Sequence, residues 1–206
     1  MLRALIIFAT TLFTVSSCTI GIHLQINPDN SGTYAFEIIY SDSIKALMVD
    51  MMAHEDKEEM KATIFDDETM AKIPESITVH DLKETDSSAT LAFDFPSIED
   101  LNALFLAMQD GPKMTQYMEH KGQKKYNFLF NTGKDKDGDD SSMEMFSEIL
   151  FRIDLYFPER EIQKVQKIEN YKITDNAQRL VYEMPLTELS KMKEAIEIQL
   201  KVKKQN

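Results

Sequence analysis

Stretch after stretch of this 206-residue chain alternates apolar and polar residues one by one, and a period of two fits half-buried strands and little else. In residues 20–26, Ile20, Ile22, Leu24 and Ile26 point one way while Gly21, His23 and Gln25 point the other. Asn27-Pro28-Asp29-Asn30-Ser31-Gly32 is dense turn chemistry, and beyond it Tyr34, Phe36, Ile38 and Tyr40 alternate again. The two stretches read as an antiparallel hairpin. A second hairpin has Ile77 and Val79 in one arm and Ala89, Leu91, Phe93 and Phe95 in the other. Tyr126, Phe128 and Phe130 mark another strand. Ile149, Phe151, Ile153, Leu155 and Phe157 mark the longest, which Pro158 ends. Ile162 and Val165 continue as a bent strand. Residues 180–185 and the alternation of Ile196, Ile198, Leu200 and Val202 complete the series, with a helical turn between them at 186–191.

Two segments carry a helical period instead. Ser41, Asp42 and Ser43 offer N-caps, and Ile44, Leu47, Met48 and Met51 follow at i, i+3, i+4 and i+7. Ser97 with Asp100 resembles a capping box, and Ile98, Leu101, Phe105 and Met108 then share one face until Gly111-Pro112. Residues 113–124 are polar and read as a loop. The pattern predicts an α+β domain: a mainly antiparallel sheet of six to eight strands, with two longer helices near 43–61 and 97–109 on one face. No repeat or Gly/Pro-rich linker divides it.

The first eighteen residues are different in kind. Arg3 is a short positive start, 4–15 form an apolar run, and Val15-Ser16-Ser17-Cys18 ends in the only cysteine. This resembles a bacterial lipoprotein signal peptide. The resemblance implies that 1–17 is removed, that Cys18 becomes the lipidated N-terminus, and that residues 18–206 form one envelope domain held to the membrane by acyl chains. An uncleaved signal anchor and an incidental cysteine are the alternatives, but the apolar run is shorter than the ~20 residues of a span. With Cys18 acylated, no thiol is left for a disulfide or a nucleophile.

The formal net charge of −12 argues against nucleic-acid partners and against a basic patch doing the membrane holding. The hairpin beside Cys18, then Phe157-Pro158-Glu159-Arg160-Glu161-Ile162-Gln163-Lys164-Val165 and Leu180-Val181-Tyr182-Glu183-Met184-Pro185-Leu186, resemble uncharacterised Bacteroidota-type lipoproteins. More distantly they resemble LppM-like mycobacterial lipoproteins. That likeness implies an envelope domain handling lipid or glycolipid, and it carries over no catalytic residue. Residue 19 is Thr rather than Asp, and no acidic run follows Cys18. By resemblance the domain faces the periplasm from the outer membrane.

Catalytic and metal signatures are thin. With Gly138 at EF-hand position 6, Asp135, Asp137 and Glu144 fall at positions 3, 5 and 12, a weak calcium candidate. Gly133 at position 1 has no side chain, and a strand replaces the entering helix, so a solvated acidic loop is the favoured reading. His54-Glu55 lacks the second histidine of a zinc-protease helix, Glu58 standing there instead. The histidines at 23, 54, 80 and 120 are scattered, His23 and His80 on the polar side of strands. There is no G-x-S-x-G, P-loop or dinucleotide fingerprint, and no cofactor is implied.

Two function classes follow. One is a non-catalytic envelope lipoprotein binding a protein partner or a hydrophobic or lipid ligand, in a pocket walled by Met48, Met51, Phe105 and Met108. The other is an envelope hydrolase built from scattered acidic residues. Converging carboxylates and a histidine in a cleft would favour the second.

Overall fold

A computed structural model describes residues 18–39, 71–85, 88–108, 115–131, 149–192 and 194–204. The alternating stretches form strands. In chain order they are β1 (Thr19–Ile26), β2 (Gly32–Ile39), β3 (Thr78–Glu84), β4 (Ser88–Phe95), β5 (Thr115–Lys121), β6 (Lys125–Asn131), β7 (Leu150–Tyr156), β8 (Arg160–Gln166), β9 (Tyr171–Thr174), β10 (Arg179–Pro185) and β11 (Ile196–Lys204). Two helices accompany them, α1 (Ile98–Ala107) and α2 (Leu186–Lys191).

The expected α+β class with two longer helices is overturned. The described residues hold eleven strands in two sheets, with helices of only ten and six residues. The larger sheet runs β3-β4-β2-β1-β7-β10-β9 and is mixed, because β1 and β7 pair in parallel. The smaller runs β5-β6-β11-β8 and is antiparallel throughout. The physical reason is that the apolar faces of β6, β8 and β11 lie against the larger sheet instead of extending it. A second sheet thus does much of the covering expected of helices. The helix read near 43–61 lies outside the described residues. The helix near 97–109 forms as α1, with Ser97 as its cap and its hydroxyl accepting from Asp100 N at 3.1 Å.

The core lies between the sheets. Ile22, Leu24, Phe93, Ile153, Leu155 and Leu180 of one sheet meet Met118, Phe128, Ile198 and Leu200 of the other. Rings fix the register between layers: Phe130 meets Phe151 at 4.9 Å and Tyr126 meets Phe157 at 5.1 Å between centroids. The helix α1 sends Ile98, Leu101, Leu104 and Phe105 into the same core. Asn102 also pins the edge strand β5, donating to Met118 O and accepting from Met118 N, both at 2.8 Å. A side-chain amide thereby occupies edge groups that a further strand would use.

The chain crosses from one sheet to the other at the corner Phe157-Pro158-Glu159-Arg160. Glu159 takes a left-handed φ of 60° there, a conformation that costs an L side chain about 1–2 kcal/mol. Arg160 is only 3% exposed. Its guanidinium donates to Ile26 O, to Asn27 O at 2.9 Å, to Gln123 O at 3.4 Å and to the Tyr126 hydroxyl. It also stacks over the rings of Tyr126 and Phe157 at 5.3 and 5.2 Å. One side chain thus ties the β1–β2 turn to the smaller sheet.

Arg160→Met should lower the urea-unfolding free energy by about 2–5 kcal/mol, because each buried acceptor left without a donor costs roughly 1–3 kcal/mol. Arg160→Lys should recover less than half, since one ammonium cannot reach all four acceptors. A loss below about 1 kcal/mol for the Met variant would show that this side chain does not join the sheets.

Candidate functional site

The outer face of the larger sheet, away from the core, carries a cluster of charged side chains. On β1 the outward residues include Gly21, His23 and Gln25; on β7 they include Arg152, Asp154 and Tyr156. The parallel register sets His23 opposite Asp154. On the other side His23 is opposite Ala35, which in turn is opposite Ala92. The small alanines leave a trough, and Gly21 leaves room for the imidazole: a Cβ there would stand 2.9 Å from His23 Nε2.

His23 sits between two carboxylates. Its Nε2 is 3.2 Å from Glu37 Oε2 and its Nδ1 is 3.5 Å from Asp154 Oδ2. Arg152 reaches the same Asp154 oxygen at 3.3 Å, and Arg179 faces the other oxygen at 3.5 Å. Asp154 is 5% exposed. Burial pushes its carboxyl up, but the hydrogen bond from His23 and the charges of Arg179, His23 and Arg152 outweigh that and hold it below the ordinary carboxylate value. A cleft of about 230 Å³ opens beside the cluster, with Gln25, Thr33, Ala35, Tyr156 and Arg179 in its wall. Arg152 Nε, Asp154 Oδ1 and Arg179 Nε are buried yet make no hydrogen bond. Arg179 Nε nevertheless stands 3.5 Å from Asp154 Oδ1 and 3.1 Å from Asp175 Oδ2, so charge attraction holds these atoms where hydrogen-bond geometry does not.

This convergence of carboxylates and a histidine is the arrangement named above as favouring a hydrolase. A general base works best with its pKa near the operating pH. Asp154 is held far from that, and both nitrogens of His23 face carboxylates. The hydroxyls in the cleft wall are engaged too: Thr33 donates to Asp94 at 2.8 Å and Tyr156 to Gln178 at 3.4 Å. The cluster lacks an activated nucleophile and reads as an ion-pair network with a few unfilled hydrogen bonds. Among the described residues no group of three or more His, Cys, Asp or Glu side chains is placed to hold a metal ion.

The residues singled out by sequence are dispersed. Cys18 stands immediately before β1, 2% exposed, with its carbonyl accepting from Leu150 N at 2.8 Å. Phe105 is buried in the core, edge-on to Tyr34 at 5.1 Å and to Phe128 at 6.4 Å. Met108 packs at the rim of that core. Met48 and Met51 lie outside the described residues, as do Asp135, Asp137 and Glu144. His80 pairs with Asp94, and His120 stands 3.3 Å from Glu99. Of the site residues, His23 was singled out by sequence, as a polar position on an alternating strand. Arg152 and Asp154 share that signal within Phe151-Arg152-Ile153-Asp154-Leu155, but nothing in the chain marks β7 as the parallel neighbour of β1.

No family model matches the chain, and no curated protein does. Among solved structures the fold is similar to the folded domain of the Mycobacterium tuberculosis LppM protein, with a TM-score of 0.50 over 90% of both chains and 12% identity. The architecture is therefore LppM-like, and at that identity the likeness extends to the fold alone.

Because the folded Asp154 carboxyl is held low, its contribution to stability is complete above the unfolded value of about 4 and is lost as pH falls through the lower folded value. Asp154→Asn should be less stable than the native chain by about 2 kcal/mol at pH 7. Thermal or urea unfolding along a pH series should show that gap closing below about pH 4. A gap unchanged from pH 7 to pH 3 would mean that the ionised carboxylate does not hold this cluster together.

Proposed function

We propose that this chain is a non-catalytic lipoprotein domain of a bacterial cell envelope, tethered through Cys18, that binds a protein partner or a hydrophobic or lipid ligand close to the membrane. The observation that carries the reading is the place of Cys18. It directly precedes β1, the central strand of the seven in the larger sheet. Acyl chains there would be joined to the middle of the fold with no spacer, which suits a domain that works close to a bilayer. Among the described residues no helix is long and apolar enough to cross a membrane, so the lipid would carry the attachment. Each buried methylene contributes roughly 0.8 kcal/mol, and two or three chains hold stably where one does not. Since the Cys18 thiol is nearly inaccessible in the folded chain, acylation would precede the docking of this strand end.

The LppM-like fold agrees with the resemblance read from Cys18 and the flanking hairpin, and supports an envelope setting. Thr19, in place of Asp, and the lack of an acidic run after Cys18 favour the periplasmic side of the outer membrane. For partner contact, the outer face around His23 and Asp154 offers a charged cluster beside a small cleft. The engaged nitrogens of His23 and the depressed Asp154 carboxyl weigh against hydrolysis at that face.

Cys18→Ser should abolish incorporation of labelled palmitate and shift the protein from the membrane pellet to the soluble fraction, or leave the uncleaved precursor. Fractionation with membranes that is unchanged by the substitution would overturn the tether. Digestion of the native protein by protease added to intact cells would overturn the periplasmic orientation.

A further inference from the structure

The outer face of the smaller sheet bears a different charge pattern. Lys121 of β5 is directly opposite Lys125 of β6, Lys125 is opposite Lys201 of β11, and Lys201 is opposite Lys164 of β8. Four lysines thus form one row across all four strands, at steps of about 4.8 Å between neighbouring backbones. All four are exposed. Like charges directly opposite one another destabilise a sheet, and although Glu119 and Glu197 share the face, neither stands within ion-pair distance of a lysine of the row. The lysine ion pairs among the described residues are Lys191–Glu188 and Lys203–Glu161, neither of which uses a lysine of the row. Such a row in a chain of net charge −12 is not explained by solubility or by composition.

A second row lies beside the first. Glu119 is opposite Asn127, Asn127 is opposite Gln199, and Gln199 is opposite Gln166. The two rows line one open cleft of about 460 Å³. Asn127 Nδ2 and Gln199 Nε2 donate to Glu197 Oε1 at 3.2 and 2.9 Å, while Asn127 Oδ1 is buried without a hydrogen-bond partner. Ammonium groups supply charge for anions, while carboxamides donate and accept at once and suit hydroxyls. Tyr117 adds an exposed ring at the end of the same face.

We propose that this face binds an acidic glycan, with Lys121, Lys125, Lys201 and Lys164 neutralising its carboxylate or phosphate groups and Asn127, Gln199 and Gln166 bonding its hydroxyls. A generic polyanion would use the lysine row alone, whereas hydroxyls would also meet the carboxamide oxygens and the amide hydrogens that Glu197 leaves free. A bilayer surface would meet a concave cleft with its broad, flat side. The glycan uses both rows and fits the groove. The proposal does not depend on acylation of Cys18 and goes beyond partner binding at the opposite face.

The test uses the chain from residue 18 to 206 and a carboxylated glycan, oligogalacturonate, in calorimetric titration. Its uncharged methyl ester, polyglutamate and vesicles of phosphatidylglycerol with phosphatidylethanolamine serve as the other arms. Oligogalacturonate should bind, weakening as salt is raised, and at least tenfold more tightly than any of the other three. The double variant Lys125→Gln with Lys201→Gln should weaken it at least tenfold while Tm stays level or rises, because the like charges are relieved. Gln199→Ala should weaken oligogalacturonate and leave polyglutamate unchanged. Absence of binding, equal binding by the double lysine variant, or equal affinity for polyglutamate or for vesicles would overturn the proposal.

Discussion

A buried guanidinium without a carboxylate partner stands where the two sheets meet. Burying an uncompensated charge is among the costliest things a fold can do, yet Arg160 forms no ion pair with any described residue. Its charge is spread instead over three backbone carbonyls, the Tyr126 hydroxyl and two aromatic faces. These partners come from five parts of the chain: the end of β1, the turn after it, the β5–β6 turn, the start of β6 and the corner after β7. The side chain therefore sets the distance between layers at this end, and the core rings between Tyr126 and Phe157 pack to that distance. The turn it grips is itself pre-formed, with Asn30 at a left-handed φ of 71° and Asn27 N bonded to Ser31 O at 2.7 Å. Gly32 closes the turn where no side chain fits, since a Cβ would stand 1.9 Å from Gln25 O.

Most strands were legible because each has one face in the core, and a half-buried strand writes its orientation into every second residue. The elements that escaped lack that asymmetry. The strand β5 buries only Met118 among residues whose burial is described, so residues 113–124 read as a polar loop. All four residues of β9 are exposed. Pairing was less legible still. Alternation states which face is apolar and not which strand lies beside it, so a second sheet covering the first was indistinguishable from helices doing the same. The parallel pairing of β1 with β7 joins residues about 130 positions apart, and no local signal reports it.

The same limit hid both candidate surfaces. His23 and Asp154 meet only through that parallel pairing. The lysine row draws on positions 121, 125, 164 and 201, contributed by four strands, and no window of sequence holds more than two of them. Cys18 stood out in the sequence because the pattern around it, Val15-Ser16-Ser17-Cys18, is contiguous. Surfaces assembled by strand order are the part of a β fold that a linear reading recovers last, since register decides which polar residues become neighbours.

The two outer faces differ in how their charges are balanced. Around Asp154 the charges cancel within the cluster: Arg152 also reaches Glu183 at 3.7 Å, and Arg179 also reaches Asp175 at 3.1 Å. Such a network contributes to holding its own strands together. The four lysines of the row form no ion pair, so an external anion would offset their mutual repulsion. Position separates the faces further. The β1 strand runs eight residues, about 25 Å, from Cys18 to the turn gripped by Arg160. The lysine row lies at the Arg160 end, because Lys125 adjoins Tyr126, which packs on Phe157, whereas Phe130 packs on Phe151 near Cys18. A domain tethered at Cys18 would therefore hold its lysine row away from its own membrane, where an extended anionic polymer could reach it.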